Sequence, residues 1–238
     1  MISPRHDAVR PLRQASFGDQ TQDVMLKSLR CMSVADCAET NPGRVTVVSG
    51  LPRSGTSMMM RVLDLGGIEA LSDNVRAVDS RNPYGYYEWE AVKSRTGYSK
   101  WMDAAAGKSL KVVSRFIAYL PATHCYDILF LNRDIESVLW SQADLASHVS
   151  ETVWSGDDML RLKELYQRHV NETLDWIDKR PNMRMREFKY ETIIERPAQE
   201  VRRICDFLAS RVLCEGEMLA AIDPALQSAG RKTERMDA

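Results

Sequence analysis

The stretch VTVVSGLPRSGTSMMMRVLDLGG, from Val45 to Gly67, decides the fold class of this chain. It begins with β-branched apolar residues, turns through a segment bounded by Gly50 and Gly55, and continues with helix-forming residues as far as Gly66. A strand, a glycine-containing turn and a helix in this order point backbone N–H groups and the positive end of the helix at an anion. The stretch therefore predicts a phosphate-binding loop.

The loop differs from the P-loop of nucleotide hydrolases at a decisive position. The hydrolase pattern G-x-x-x-x-G-K-[ST] would run from Gly50 to Ser57, but Thr56 stands where the lysine belongs. A later buried strand is followed by Asn132 and Arg133, where a hydrolase would place an acidic ligand for Mg²⁺. The loop carries its cation at Arg53 instead. The sequence therefore predicts an anion site that lacks the triphosphate and metal machinery.

Strand and helix patterns alternate along the rest of the chain. Strands are predicted at Arg44–Ser49, Leu110–Val113, Asp127–Leu131 and Met183–Phe188, and helices at Thr56–Leu65, Glu88–Tyr98, Ile135–Ser147, Asp157–Lys179 and Pro197–Ala209. This alternation predicts one α/β domain over residues 41–238, with a central, mainly parallel sheet flanked by helices and ligands at the carboxyl ends of its strands. Residues 1–40 are predicted to be an appendage, a tail followed by a helix over 19–38.

Composition and charge exclude several classes of function. The 32 basic and 33 acidic residues give a formal charge of −1, so no broad basic surface for nucleic acid is expected. No apolar run is longer than five residues, and the sequence therefore predicts no membrane-spanning segment. The N-terminus has no apolar signal region, and the five cysteines are scattered and odd in number. These features predict a reduced, cytoplasmic protein.

Several motifs resemble the sulfotransferases that use 3′-phosphoadenosine 5′-phosphosulfate (PAPS), in particular their bacterial sulfotransferase-like branch. The 5′-phosphosulfate loop of that family reads P-[KR]-S-G-T-[ST], and this chain has Pro52-Arg53-Ser54-Gly55-Thr56-Ser57. The second family signature, an arginine after a strand and a serine eight residues on, is similar to Arg133 and Ser141. A tyrosine beside an acidic residue after a late strand is matched by Tyr190. The resemblance covers roughly residues 44 to 208.

The resemblance implies PAPS as the sulfuryl donor and a small-molecule acceptor with a hydroxyl or amine group. The residues that it assigns to the donor are Arg53, Ser54, Gly55, Thr56 and Ser57 for the 5′-phosphosulfate, Arg133 and Ser141 for the 3′-phosphate, and Tyr190 for the adenine. A sulfuryl group carries less charge than a γ-phosphate, so no metal is expected. Fixed donors and cations, Arg53 among them, can stabilise the charge that grows on the departing phosphate oxygen.

The base that would accept the acceptor's proton is predicted among the carboxylates after the loop helix. Aryl-type relatives have a histidine two residues after a strand lysine, but here Val113 follows Lys111 at that spacing. Other branches use a carboxylate from the region in which Asp73 and Glu88 lie. Aromatic residues around Glu88 predict a raised pKa, which suits a base. The choice between the two carboxylates stays open, as does whether Lys111 faces the sulfuryl group or solvent.

Two other functions fit the strand–loop–helix pattern. A metal-dependent P-loop kinase acting on a small metabolite would share the fold but would need the missing lysine and a metal-binding carboxylate. A nucleotide-binding module without turnover would need neither, and its N-terminal helix would mediate contacts in a homodimer.

The sulfotransferases that this chain resembles also have a C-terminal basic loop that closes over the 3′-phosphate. The segment Gly230-Arg231-Lys232 is a weak match to that loop.

Overall fold

A parallel sheet forms the centre of the protein in a computed structural model, which describes residue 37 and residues 43–73, 75–76, 78–79, 82–94, 102–150 and 154–223. The strands of the described chain are β1 (Val45–Gly50), β2 (Ser109–Lys111), β3 (Tyr126–Asn132) and β4 (Met183–Lys189). They lie in the order β2-β1-β3-β4, and each neighbouring pair is parallel. The predicted α/β fold with a parallel sheet is confirmed.

Helices connect the strands and cover both faces of the sheet. They are α1 (Thr56–Leu65), α2 (Ile135–Ser150), α3 (Gly156–Asp178), α4 (Tyr190–Glu195), α5 (Pro197–Phe207) and α6 (Glu215–Ala220). The start of α3 is fixed by a capping box, in which Ser155 and Asp158 each accept a hydrogen bond from the other's backbone N–H. Within the described ranges, no helix combines the length and the apolar character needed to cross a bilayer.

The helix predicted over Glu88–Tyr98 is wrong in its described part. A single 3₁₀ turn covers Glu90–Lys93, and Glu88 lies before it. The backbone explains the difference, since Tyr87 has a left-handed φ of 50° and Trp89 is extended. Neither conformation can belong to an α-helix. The short helices α4 and α6 were not predicted, because six residues are too few to show a helical period.

The core consists of two layers, one on each face of the sheet. Alternate residues of β1 and β3 point to opposite layers, so that Val47 and Ile128 belong to one and Val48 and Leu129 to the other. The first layer includes residues of α2 and α3, and the second includes residues of α1, α5 and α6. Because both faces are covered, a ligand can approach the sheet only at its edges or at the ends of its strands.

The expectation that all cysteines are reduced is wrong for one pair. Cys37 and Cys125 form a disulfide with their Cα atoms 5.5 Å apart, whereas Cys205 and Cys214 are free. The disulfide was not predicted because its two cysteines are 88 residues apart in sequence and form no motif.

Apart from Cys37, the predicted tail and helix of residues 1–40 lie outside the described residues. The domain boundary and the homodimer contact through that helix therefore stay predictions.

Candidate active site

The turn between β1 and α1 adopts a conformation that depends on Gly50 and Gly55. Gly50 has a φ of 148°, and a Cβ atom there would lie 2.5 Å from the backbone oxygen of Leu131. Gly55 has a φ of 96°, and a Cβ atom there would lie 2.5 Å from Cδ2 of Tyr190. A side chain at either position would therefore push the loop away from β3 or from the tyrosine ring. Arg53 adopts a left-handed φ of 75°, which is uncommon for a residue with a Cβ atom.

The residues assigned to the donor from sequence meet around Arg53. Its Nε donates a hydrogen bond to Oγ of Ser141 at 2.8 Å, and Nη1 of Arg133 donates to its backbone oxygen at 3.0 Å. The guanidinium of Arg133 also lies 4.6 Å from the centre of the Tyr190 ring. The structure thus brings all four residues together, although Ser141 is paired with Arg53 and not with Arg133.

Two buried residues that the sequence did not reveal support the loop. Nε2 of Gln142 donates to the backbone oxygen of Pro52 at 3.0 Å. The Tyr166 hydroxyl, from α3, donates to Oε1 of Gln142 at 2.7 Å. Both residues look like ordinary helix positions in the sequence, and the only available signal was that Gln142 follows Ser141. Together they fix the position of Pro52 relative to α2 and α3.

The loop also carries polar groups suited to an anion. Ser54 is 1% exposed, and its hydroxyl has no hydrogen-bond partner among the described residues. The Nε atom of Arg133 is likewise buried and unpaired within them. An unpaired buried polar group is costly, so a site with two of them has donors to offer a charged ligand. Thr56, which replaces the hydrolase lysine, is buried at the first position of α1.

Lys111 links the loop helix to the candidate base. It ends β2 and is only 9% exposed, so it does not lie at a solvent edge. Its Nζ donates to Oγ of Ser57 at 3.1 Å and to the backbone oxygen of Tyr86 at 2.6 Å. The same Nζ lies 3.7 Å from Oε1 of Glu88. Burial lowers the pKa of Lys111 to about 8, although Glu88 acts in the opposite direction.

Glu88 is surrounded by cations. Its Oε1 lies 3.1 Å from Nη1 of Arg76, and its Oε2 lies 3.1 Å from Nζ of Lys93, in addition to the contact with Lys111. Burial raises the pKa of Glu88, but the three cations outweigh this effect and bring it below the ordinary value of 4.5. The predicted raised pKa is therefore wrong. A nearby ring, that of Tyr86, stacks on the Arg76 guanidinium at 3.4 Å and so brings a cation to the carboxylate.

Asp73 organises the chain around Glu88. Its Oδ2 accepts a hydrogen bond from the backbone N–H of Glu90 at 2.6 Å, and its Oδ1 accepts one from Val75 at 3.1 Å. Its own N–H donates to the backbone oxygen of Glu88 at 3.2 Å. Both carboxylate oxygens are thus bound by the backbone. This arrangement favours Glu88 over Asp73 as the base, and the assignment of either residue stays a prediction.

A small pocket of about 130 Å³ opens beside Glu88. It is lined by Ser72, Arg76, Val78, Gly85, Tyr86, Tyr87 and Glu88. Since Lys111 contacts both Glu88 and Ser57 of the loop helix, the carboxylate lies on the side of the pocket that faces the loop. A carboxylate in this position can accept a proton from a group bound in the pocket.

A solved sulfotransferase structure is similar to this chain in fold. The sulfotransferase STF1 from Mycobacterium tuberculosis H37Rv has a TM-score of 0.50 and 15% identity, with 90% of this chain and 81% of that chain covered. The sulfotransferase domain from the curacin biosynthetic pathway has a TM-score of 0.46 and 16% identity, with 76% and 78% covered. No curated protein matches the chain significantly. The model of the sulfotransferase domain matches residues 44–226, which is most of the sequence, and the chain therefore belongs to the sulfotransferase family.

Proposed function

We propose that this protein transfers a sulfuryl group from PAPS to a hydroxyl or amine of a small-molecule acceptor without a metal ion. The observation that carries the proposal is the position of Lys111. Its amine contacts Ser57, on the donor-loop helix, and lies 3.7 Å from Glu88, which lines the pocket. A cation between a donor site and a carboxylate is what transfer to a protonated acceptor needs.

The residues present fit the anionic ends of PAPS, which when bound would supply the sulfuryl group and a phosphate leaving group. Arg53 and the amides at the start of α1 would bind the 5′-phosphosulfate, with the hydroxyls of Ser54, Thr56 and Ser57. Arg133 and Ser141 would hold the 3′-phosphate, and the ring of Tyr190 would contact the adenine. The unpaired donors of Ser54 and Arg133 support this assignment.

On the acceptor side, Glu88 would take the proton of the acceptor at a carboxylate oxygen. Arg76 and Lys93 keep this carboxylate ionised at neutral pH, because they stabilise its negative charge. Lys111 would balance negative charge that grows towards the donor loop. The low pKa makes Glu88 a weak base, which suits an acceptor whose proton leaves late in the reaction.

The kinase alternative has less support in the structure. The side chain of Asn132, at the end of β3, donates a hydrogen bond to the carboxylate of Glu187. The nearest acidic residue along the chain, Asp134, accepts a bond from the backbone N–H of Ser137 at the start of α2. A ligand comparison distinguishes the two functions.

We expect 3′-phosphoadenosine 5′-phosphate (PAP), the desulfated product, to raise the melting temperature of the protein in the presence of a chelator. A ligand at 100 times its dissociation constant stabilises the folded state by about 2.7 kcal/mol. ATP with Mg²⁺ should stabilise it less. The measurement is thermal unfolding at matched ligand concentrations. Larger stabilisation by ATP with Mg²⁺, abolished by chelation, would contradict the proposal and favour the kinase alternative.

The Arg133→Ala variant tests whether Arg133 binds the 3′-phosphate of the nucleotide. A charge-assisted hydrogen bond is worth about 1.5–3 kcal/mol, so this variant should bind PAP about 10- to 150-fold more weakly. Its affinity for adenosine 5′-phosphate, which lacks the 3′-phosphate, should change much less. Equal losses for both nucleotides would show that Arg133 acts on the loop, through its bond to the Arg53 backbone, and not on the 3′-phosphate.

Turnover should decrease as the pH rises through about 8, the pKa of Lys111. Turnover decreases and does not increase because the Lys111 amine is a cation below this pH and neutral above it. The proposed role needs the cation. Loss of one proton predicts a decrease of about tenfold per pH unit above the midpoint. Glu88, with a pKa below 4.5, is ionised throughout this range and therefore causes no further change in the pH profile of turnover.

Lys111→Arg is the matched control for the pH profile, because a guanidinium stays protonated up to about pH 12. The variant should lose the alkaline decrease even if its larger side chain lowers the maximal rate. If the decrease persists in Lys111→Arg with the same midpoint, another group produces it and Lys111 has no role as a cation.

A further inference from the structure

Tyr87 has an unusual backbone conformation next to the candidate base. Its φ of 50° is left-handed, and Arg53 is the only other described residue besides glycine with a positive φ. A bulky side chain disfavours this conformation, so something in the fold must hold it. Residues held in such conformations are concentrated at functional sites.

The left-handed conformation determines what faces Lys111. The backbone oxygen of Tyr86 lies in the peptide unit before the Cα atom of Tyr87, and Glu88 follows that atom. The backbone torsions at Tyr87, its left-handed φ among them, therefore set the direction of Glu88 relative to that oxygen. In an extended chain, side chains stand perpendicular to the backbone hydrogen bonds, and the two groups would diverge. Here Nζ of Lys111 lies 2.6 Å from the oxygen of Tyr86 and 3.7 Å from Oε1 of Glu88.

The ring of Tyr87 holds this conformation in place. It is partly buried and packs against the core layer that contains Met59 and Leu63 of α1. The neighbouring side chain of Tyr86 is held elsewhere, since its hydroxyl donates to Oδ2 of Asp79 at 2.6 Å and its ring stacks on a guanidinium. The side chains of Tyr86 and Tyr87 thus hold the chain just before the turn and at the turn itself.

We propose that Tyr87 is a positioning residue for sulfuryl transfer. Its left-handed backbone, held by the packing of its ring against the core layer that contains Met59 and Leu63, directs the Tyr86 carbonyl and the Glu88 carboxylate to the Lys111 amine. The catalytic part of this proposal rests on the proposed function, but the geometric part does not. Without the turn, Lys111 would keep Ser57 but lose the Tyr86 carbonyl and the Glu88 carboxylate, and Glu88 would lose a cation.

The test compares Tyr87→Gly with Tyr87→Ala. Both variants lack the ring, but only alanine opposes a positive φ. The readout is the rate at which an amine-reactive acylating reagent labels Lys111, followed by peptide mass spectrometry with the exposed Lys189 as internal control. Lys111 should react about 5- to 30-fold faster in the alanine variant, which corresponds to the 1–2 kcal/mol that a left-handed residue with a Cβ atom costs. Tyr87→Phe should keep the parent labelling rate.

Turnover gives the second readout. The alanine variant should be slower than the glycine variant in the same proportion, while both bind PAP with equal affinity. Equal Lys111 labelling in the two variants would overturn the proposal, because the backbone conformation would then have no effect. Should Tyr87→Ala not fold, Tyr87→Asn and Tyr87→Thr repeat the comparison, since asparagine tolerates the left-handed region and β-branched threonine does not. If PAP does not bind the parent, the proposed function fails while the labelling result still decides the geometry.

Discussion

The Glu88→Gln variant is expected to lose turnover by about 10²- to 10⁴-fold while binding PAP as tightly as the parent. Glutamine keeps the size of the side chain but cannot accept a proton at the reacting group. Glu88 does not contact the phosphate-binding loop directly, and Lys111 lies between the two. The loss should therefore appear in the rate and not in nucleotide affinity. Single-turnover kinetics with PAPS and titration with PAP measure the two quantities separately.

The pH of this measurement matters, because Glu88 raises the pKa of Lys111. Removing the carboxylate charge should bring the alkaline decrease to lower pH, as the buried amine loses its nearest anion. A rate compared near pH 8 would then mix the loss of the base with the loss of the cation. The comparison belongs well below the midpoint of the parent, where Lys111 is protonated in both proteins.

Asp73→Asn is the matched control for Glu88→Gln. It removes a carboxylate of the same region, yet the carboxyl oxygens of Asp73 already accept bonds from the backbone of Val75 and Glu90. A modest loss of turnover is expected, since one of these two acceptors becomes a donor. Intact turnover in Glu88→Gln together with inactive Asp73→Asn would move the base to Asp73. Full activity in both variants would mean that the acceptor needs no base from the protein.

A parent protein that binds PAP but shows no turnover would indicate a nucleotide-binding module without catalytic activity.

The sequence predicted the loop and the sheet because their signals are local. Gly50 and Gly55 are needed for the path of the turn itself, and the apolar strands are bounded by turn residues within a few positions. Arg133 could be placed at the loop because the carboxyl ends of neighbouring parallel strands lie at one edge of a sheet. Chain order and strand direction were sufficient for these assignments.

The environment of Glu88 could not be predicted in this way. Its cations come from three separated positions, Arg76, Lys93 and Lys111, and only the folded chain brings them within 4 Å. Nearby aromatic residues indicated an apolar pocket in the sequence, but the ring of Tyr86 binds Arg76 instead. The direction of the pKa shift of Glu88 depends on which charged groups the fold brings next to it. The pattern of residues along the sequence does not show which groups these are.

The disulfide gives the largest expected effect on stability. The Cys37→Ser variant should lower the free energy of unfolding by about 4 to 5 kcal/mol, because the bond closes a loop between residues 88 positions apart and restricts the unfolded chain. The hydrogen bond from Nη1 of Arg44 to the backbone oxygen of Cys37 would still hold the position of residue 37. Arg44 itself is anchored by a buried ion pair with Asp127 at 2.7 Å. The sheet should therefore survive, with reduced stability.

Denaturant unfolding with and without reductant measures this effect. The reduced parent should match Cys37→Ser, whereas Cys214→Ser, which removes an exposed free thiol, should behave like the oxidised parent. A disulfide of this kind persists in oxidising compartments and is rare in the cytosol, so the result bears on the predicted cytoplasmic location. If alkylation without reductant detects all five cysteines as free thiols in the unfolded protein, and reductant does not change the stability, Cys37 and Cys125 are unpaired in solution. The reduced state expected from the sequence would then stand, and the stability of the domain would rest on its two core layers alone.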